Sequence, residues 1–215
     1  MSFRDDFYLK EATLVNRARR ELANGLQKDP IENLRLLCFA HGVTGILKLS
    51  RALRSMENDG TKTLNFEEFK AAMQKSGMGC SENEIKELFD GFVDENKGVL
   101  STNDFLAKVR PAMTRSRLEV IEKAFAKADP TGNGVIFVGD LKHIYNVKDH
   151  PKYLSGELTE KEILTDFLNN FRSDNGKFND GKIYKEEFIN YYSSVSASIE
   201  RDAYFDLVMR RAYKL

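Results

Sequence analysis

One short residue pattern occurs four times along the chain, and this repeat limits the fold more than any other feature. Each copy has a residue that is usually Gly, one intervening residue, Leu or Ile, three further residues, an acid and a large apolar residue. The copies begin at Lys62, Gly98, Gly134 and Gly181. The first three are evenly spaced, and a polar insertion around residues 148–160 lengthens the last interval. Four related structural units are therefore expected.

Helical periodicity flanks the copies of the repeat. Leu118 and Ile121, for example, belong to a run of apolar residues at the three- and four-residue spacing of a helix face. Ser81 and Thr159 each precede a Glu by three residues, which is the spacing of a capping box, and Asp29 precedes a proline. Each unit is therefore predicted to be a helix, a loop and a second helix.

The spacing within each loop is that of a twelve-residue calcium-binding loop, the EF-hand. Such a loop surrounds a hard cation with oxygen atoms from positions 1, 3, 5, 7 and 9, and a carboxylate at position 12, usually Glu, completes the coordination. Position 6 requires a sharp turn that Gly adopts without steric penalty. A single copy could arise by chance in a charged helical protein. Four copies predict the fold, while the capacity of each loop for metal is a separate question.

The units are predicted to pair into two lobes through short strand contacts at loop position 8. Leu64 should therefore face Leu100, and Ile136 should face Ile183, while Pro111 should end a helix in the link between lobes. The predicted fold is all-α, with four EF-hand units in two paired lobes and an extra N-terminal helix. The predicted boundaries are 1–30 for an N-terminal amphipathic helix extension, 31–112 for the first lobe, and 113–215 for the second lobe with a C-terminal helix.

The third loop, residues 129–140, keeps the pattern of a calcium site. Its candidate ligands are Asp129, Thr131, Asn133, the carbonyl of Val135 and Asp140. Gly134 is at position 6, where the sharp turn is required. Phe137 at position 9 has no ligand atom, so a water molecule is expected to coordinate the ion there. Asp140 is one methylene shorter than the usual Glu, and the loop has only two carboxylates. Weak affinity or tolerance of magnesium is therefore expected.

The first loop, residues 57–68, carries more negative charge. Its candidate ligands are Glu57, Asp59, Thr61, the carbonyl of Thr63 and Glu68, with Asn65 as a further candidate. Against occupancy, Glu57 is long for position 1, and Lys62 must adopt the turn conformation that Gly adopts freely. The sequence is therefore compatible both with a first loop that binds calcium and with one that is empty.

The second and fourth loops are less complete. Val93 opens the second loop without a ligand atom, and Lys97 places a cation at position 5, so this loop is expected to hold no metal. The fourth loop has a longer entrance that places Gly176 at position 1. A solvated loop is the favoured interpretation there, and Asp174 or Asn175 as a substitute ligand is the alternative. One or two calcium ions per chain are therefore expected.

Charge and composition exclude several classes of function. Lys plus Arg and Asp plus Glu both number 33, so no net field would draw the chain to nucleic acid or to an anionic membrane. A membrane-spanning helix needs about 18 consecutive apolar residues, and no run in this sequence is that long. The N-terminus also lacks the pattern of a signal peptide. Cys38 and Cys80 have no paired spacing, which fits a reducing compartment. The cytoplasm is the expected location.

Catalytic motifs are missing from the sequence. His41, His143 and His150 are not at metal-ligand spacing and belong to no recognisable nucleophile arrangement. No glycine-rich loop of the phosphate-binding type occurs either. The chain is therefore expected not to be an enzyme.

Four segments are more distinctive than any single loop. They are FAKADPTGNGV in the third unit, RPAMT in the linker, SGELTEKEILTDFLNNF before the fourth unit and EEFINYYSSVSASIERDAYF near the end. Through them the chain resembles calcyphosin and its relatives from about Glu32 to Leu215. The resemblance implies a two-lobed EF-hand protein of the cytosol that binds calcium, acts in signalling and can self-associate as a homodimer. Val93 and Glu57 depart from the family pattern where metal would be held, so this function carries over in part.

Two terminal helices admit more than one interpretation. The predicted helix at residues 5–27 has a stripe with Leu14 and Ala18 beside several arginines, and packing on its own lobe is favoured over a membrane or partner surface. The last helix has Phe205 and Met209 on one face. Core packing is the simpler interpretation, and occupation of a groove between the lobes is the alternative.

Three functions compete. The first is a calcium-responsive signalling or adaptor protein that exposes apolar surface to a still unidentified protein partner. The second is a constitutive interaction or scaffold protein with largely degenerate EF-hands. The third is a calcium buffer, which the small number of strong carboxylate sets disfavours.

Overall fold

The computed structural model describes residues 3–25, 29–57, 62–171 and 182–215. The first half contains α1 (Phe3–Ala23), α2 (Pro30–Ala40), α3 (Gly45–Arg54), β1 (Thr63–Leu64), α4 (Phe66–Ser76), α5 (Glu82–Asp90), β2 (Val93–Asp94), β3 (Val99–Ser101) and α6 (Thr102–Val109). The second half contains α7 (Arg115–Ala128), β4 (Val135–Phe137), α8 (Val138–Ile144), a 3₁₀ helix (Val147–Asp149), α9 (Pro151–Leu154), α10 (Glu160–Asn169), β5 (Lys182–Tyr184), α11 (Lys185–Ala197) and α12 (Asp202–Tyr213).

The helices begin where the sequence signals predict. Asp29 caps α2 by accepting a hydrogen bond from the Ile31 backbone N–H at 2.9 Å, and proline follows as the first helical residue. Ser81 and Thr159 both form complete capping boxes, at the starts of α5 and α10. Pro111 lies between the end of α6 and the start of α7, as expected for a residue that cannot continue a helix. These predicted helix limits are confirmed.

The loops pair in the predicted register. Leu64 of β1 lies opposite Leu100 of β3, and Ile136 of β4 lies opposite Ile183 of β5. All four side chains are fully buried. The helical content, the short strands confined to loops and this pairing confirm the all-α EF-hand fold.

The chain divides into two compact units, which are Glu11–Pro111 and Met1–Lys10 with Ala112–Leu215. In the first unit, the α1 residues Leu14 and Ala18 are buried, and Glu11 accepts a hydrogen bond from the Val43 backbone N–H at 3.2 Å. Arg35 of α2 donates to the carbonyls of Val109 and Lys108 at the end of α6, at 2.8 Å each. These bonds tie α1 to the turn between α2 and α3, and α2 to the end of α6.

The second unit is built around a cluster of aromatic side chains. Phe125, Phe188 and Phe205 pack there with Tyr192 and Tyr213, all of them buried. Phe125 and Phe188 meet edge to face with their ring centroids 5.5 Å apart, an arrangement that aromatic rings favour. Because α12 contributes Phe205 and Tyr213 to this cluster, the last helix packs in the core of its own unit.

Candidate metal-binding loops

The third loop holds its opening carboxylate in a network of donors. Asp129 is 6% exposed, and its Oδ2 accepts a hydrogen bond from the Gly134 backbone N–H at 2.8 Å. Its Oδ1 accepts from the Thr131 hydroxyl at 2.9 Å and from the Asn133 backbone N–H at 3.3 Å. Residues from positions 1, 3, 5 and 6 of the loop are thereby gathered around one carboxylate.

This network also favours the charged form of the carboxylate. Burial opposes ionisation of Asp129, but the hydrogen bonds from Gly134, Thr131, Asn133 and Gly132 together lower its pKa below the ordinary aspartate value. The same donors therefore keep this carboxylate ionised to a lower pH than an ordinary aspartate, in the form that a cation requires.

The turn of the third loop has the expected backbone. Gly134 at position 6 has a φ of 80°, in the left-handed region that disfavours side chains. The Asn133 side chain accepts a hydrogen bond from the Val135 backbone N–H at 2.9 Å, which orders the residues before the strand. Asp140 is exposed within the first turn of α8. Phe137 at position 9 is 45% exposed and offers no oxygen to a cation.

The first loop is described only at its two ends. Asp59 and Thr61 lie outside the described residues, whereas Glu57 is half-buried and Thr63 belongs to β1. Lys62 has a φ of 59°, so the lysine does adopt the conformation expected for position 6.

The closing Glu68 of the first loop has a second role. Its Oε2 accepts a hydrogen bond from the Asn65 backbone N–H at 2.9 Å, while the Asn65 side chain accepts from the Glu68 backbone N–H at 3.0 Å. This reciprocal pair is a capping box at the start of α4. Asn followed by Glu three residues later is the sequence signal for this box, and it coincides with two candidate calcium ligands.

The second loop folds back on itself as a hairpin. Val93 and Asp94 of β2 pair with Leu100 and Val99 of β3, so loop positions 1 and 2 are joined to positions 8 and 7. Lys97 lies 3.6 Å from the Asp94 carboxylate and neutralises a nearby acid. Backbone pairing thus joins the two ends of the loop that would have to curve around a cation. Sequence reasoning predicted that this loop holds no metal but missed the hairpin.

The entrance of the fourth loop, including Asp174, Asn175 and Gly176, lies outside the described residues. At its exit, Glu187 accepts a hydrogen bond from the Tyr184 backbone N–H at 2.9 Å. The position-12 carboxylates of the first and fourth loops therefore both bond to the backbone at a helix start.

The described residues contain neither a cluster of metal-binding side chains nor a single membrane-spanning helix. No group of three or more His, Cys, Asp or Glu side chains is placed to hold a metal in the part of the chain that the structure describes. The third loop contributes only two carboxylates, Asp129 and Asp140, and the first loop is described only in part. No single described helix is long and apolar enough to cross a membrane, although the bent pair of α2 and α3 meets that test together.

Known proteins that are similar to this chain are consistent with an EF-hand fold. The family model described as an EF-hand domain pair matches residues 60–109. Crustacean calcium-binding protein 23 of Faxonius limosus is 38% identical over 195 residues, which cover 91% of this chain and 95% of the relative. The protein of the same name from Homarus americanus is 33% identical, with 74% of this chain and 92% of the relative covered.

An enzyme is also among the relatives. Calcium-dependent protein kinase 22 of Arabidopsis thaliana is 28% identical over 163 residues. The match covers 74% of this chain but only 30% of the kinase. The likeness is therefore limited to a minor part of that protein.

Proposed function

The chain belongs to the family of EF-hand calcium-binding proteins, and from that premise we propose that it is a non-catalytic, calcium-responsive signalling or adaptor protein. The third loop is the principal site, with Asp129, Thr131, Asn133, the Val135 carbonyl and Asp140 as ligands. The first loop is the secondary site, with Glu57, Asp59, Thr61, the Thr63 carbonyl and Glu68 as ligands. Magnesium competes for the third loop because Asp140 is short for the bidentate contact that favours calcium.

The observation that carries this proposal is the network around Asp129. Its carboxylate is buried, its pKa is lowered, and donors from loop positions 3, 5 and 6 already surround it. A loop arranged in this way loses little conformational freedom when a cation binds. Binding of calcium then turns the oxygens of Thr131, Asn133 and Asp140 toward the ion.

Calorimetric titration with calcium, in the presence of magnesium, tests the proposal. We expect one or two calcium ions per chain. Asp129→Ala should abolish the tighter binding, because it removes one of only two carboxylates in the third loop. Asp94→Ala is the matched control, since it removes an acid from the paired strands of the second loop. A stoichiometry of three or more, or unchanged binding in Asp129→Ala, would contradict the proposal.

A constitutive scaffold is the second candidate function, and the hairpin of the second loop favours it. Backbone pairing of Val93 and Asp94 holds that loop without metal, and the capping box at Glu68 holds the start of α4. A scaffold would bind an apolar fluorescent dye equally with and without calcium. A calcium-responsive protein would bind more dye when calcium is added.

The resemblance to calcyphosin suggests in which compartment the protein acts and with what it associates. We propose the cytoplasm as the compartment, supported by two cysteines that remain free thiols. A protein partner and a homodimer are further proposals that the resemblance supports. Sedimentation with and without calcium measures the homodimer directly.

A further inference from the structure

The C-terminal end of α12 is hydrogen-bonded to α7, the helix before the third loop, and to Asn146, which lies two residues beyond the last residue of α8. The Lys127 ammonium, in the last turn of α7, donates to the Lys214 carbonyl at 2.6 Å. Asn146, which follows α8, donates its backbone N–H to the Ala212 carbonyl at 2.7 Å and its side-chain amide to the Arg211 carbonyl at 3.3 Å. The end of α12 therefore bridges the helix before the loop and the segment that directly follows the helix after it.

The opposite end of α12 is anchored to α7. Arg117 is buried and donates through Nε to the Asp202 carboxylate at 2.7 Å. Its two terminal nitrogens donate to the carbonyls of Ser196, Ile199 and Glu200 at 2.7 to 3.0 Å. These bonds fix the turn between α11 and α12 on the first turns of α7. A change at the other end of α12 therefore does not release the whole helix.

Opening of an EF-hand changes the angle between the helix that enters the loop and the helix that leaves it. The bond from Lys127 comes from the first of these helices, and the bonds from Asn146 come from just beyond the second. Both reach the same short segment at the end of α12, so they connect the two sides of the joint that has to move. We propose that the end of α12 is an intramolecular clamp that holds the third EF-hand in its closed arrangement and lowers its calcium affinity. This inference rests on the proposed function, because it requires calcium to bind the third loop.

Linkage fixes the sign of the expected effect. If the clamp bonds form in the closed arrangement and weaken in the open one, then removing a bond destabilises the closed arrangement alone. Calcium affinity should rise while the metal-free protein becomes less stable. A purely structural role for α12 would lower the stability and leave calcium affinity unchanged or reduced.

A pair of variants at Asn146 separates the two types of bond. Asn146→Pro removes the backbone N–H that donates to Ala212, and Asn146→Ala keeps it. Asn146 has φ −85° and ψ 95°, and the preceding Tyr145 has ψ 119°, so proline fits the existing backbone. We expect Asn146→Pro to tighten calcium binding by about two- to tenfold, the range for one hydrogen bond. Asn146→Ala should give a smaller change.

Variants at Lys127 provide the second, independent test. Lys127→Met removes the donor to Lys214 and should tighten calcium binding, whereas Lys127→Arg keeps a charged donor and should behave as wild type. Lys142→Met removes an exposed cation just after Asp140 on α8. It therefore measures how much of any gain in affinity comes from charge alone.

Calorimetric calcium titration and metal-free thermal denaturation are recorded for every variant. Tighter binding with a lower metal-free melting temperature in Asn146→Pro and Lys127→Met, beyond the Lys142→Met control, supports the clamp. Unchanged or weaker binding in both variants overturns it, while the proposed function stands because the wild type still binds. If Asp129→Ala and wild type bind calcium equally, the proposed function and the clamp both fail.

Discussion

The phenolic hydroxyls of Tyr192 and Tyr213 lie 2.7 Å apart inside the second unit and form a hydrogen bond that joins α11 to α12. Tyr192 is 4% exposed and Tyr213 is fully buried. Water therefore cannot readily replace a missing partner. Removal of one hydroxyl leaves the other without its observed partner, which costs more than the bond itself contributes.

The first prediction is a non-additive pair of substitutions. Tyr213→Phe or Tyr192→Phe should each lower the free energy of unfolding by about 1–3 kcal/mol, the cost of a buried polar group left unpaired. The double variant should lose clearly less than the sum, because both groups that need a partner are gone. Urea denaturation of the metal-free protein, followed by far-ultraviolet circular dichroism, measures all three values. Additive losses would show that the hydroxyls do not depend on each other.

The second prediction concerns alkaline pH. Burial raises the pKa of both Tyr192 and Tyr213 well above the ordinary value, and it raises the pKa of Tyr145 to about 12. Above the unfolded-state pKa of about 10, the unfolded chain releases phenolic protons that the folded chain retains. The free energy of unfolding from these groups should therefore be at its full value below pH 10 and fall as the pH rises further.

Denaturation at a series of alkaline pH values, with the phenolate absorbance recorded in parallel, checks this sign. The Tyr192→Phe and Tyr213→Phe double variant is the control, and it should lose part of the pH dependence. A stability that rises with pH in the alkaline range would contradict the burial of these phenols.

The parts of the fold that the sequence predicted follow from patterns within short segments of the chain, each of which can be recognised by itself. The pairing of Leu64 with Leu100 followed from loop position 8, and the capping box at Ser81 followed from residues three apart. The hairpin of the second loop depends on backbone pairing, which the pattern of ligand side chains does not indicate. The bond between Lys127 and the Lys214 carbonyl joins distant parts of the chain, and no local pattern indicates it.

The third prediction concerns the strained turn of the first loop. Lys62 has a φ of 59°, a conformation that costs a residue with a side chain about 1 kcal/mol or more relative to Gly. Lys62→Gly should therefore raise the free energy of unfolding by about 0.5–1 kcal/mol, since the greater freedom of Gly in the unfolded chain offsets part of the gain. It should also strengthen any calcium binding by the first loop.

Lys62→Ala is the matched control for this experiment. Alanine removes the lysine charge and the long side chain but keeps the strain of a Cβ atom at positive φ. Thermal denaturation and calcium titration of the two variants separate backbone strain from charge. Equal effects of Gly and Ala would assign the change to charge and contradict the strain argument.

The fourth prediction is that the second loop cannot be restored by its opening residue alone. Val93→Asp supplies a carboxylate, but the β2 pairing with Leu100 remains and Lys97 keeps a cation at position 5. Calorimetry should therefore find no additional calcium ion in Val93→Asp. Combining it with Glu95→Asp and Lys97→Asn supplies oxygens at positions 1, 3 and 5 and removes the cation. The three ligands together should displace the short β2 pairing, so this triple variant should gain one ion. An extra ion in the single variant would show that the hairpin opens readily.

The fifth prediction is that the third EF-hand couples calcium binding only weakly to exposure of apolar surface. Opening depends on the position-12 carboxylate drawing the second helix toward the ion, and Asp140 is one methylene shorter than Glu. A shorter side chain either moves α8 less or completes the coordination less well. Asp140→Glu should therefore increase the preference for calcium over magnesium and increase calcium-dependent binding of an apolar fluorescent dye.

The control for this prediction is Asp104→Glu, which makes the same change at position 12 of the second loop. Because the paired strands of that loop are not arranged around a cation, Asp104→Glu should alter neither measurement. Titrations with calcium at fixed magnesium, with dye fluorescence recorded at each point, compare the two variants with wild type. Suppose that wild type already binds dye strongly at micromolar calcium and that Asp140→Glu adds nothing. Then the length of Asp140 does not limit opening, and the protein responds as a full calcium sensor.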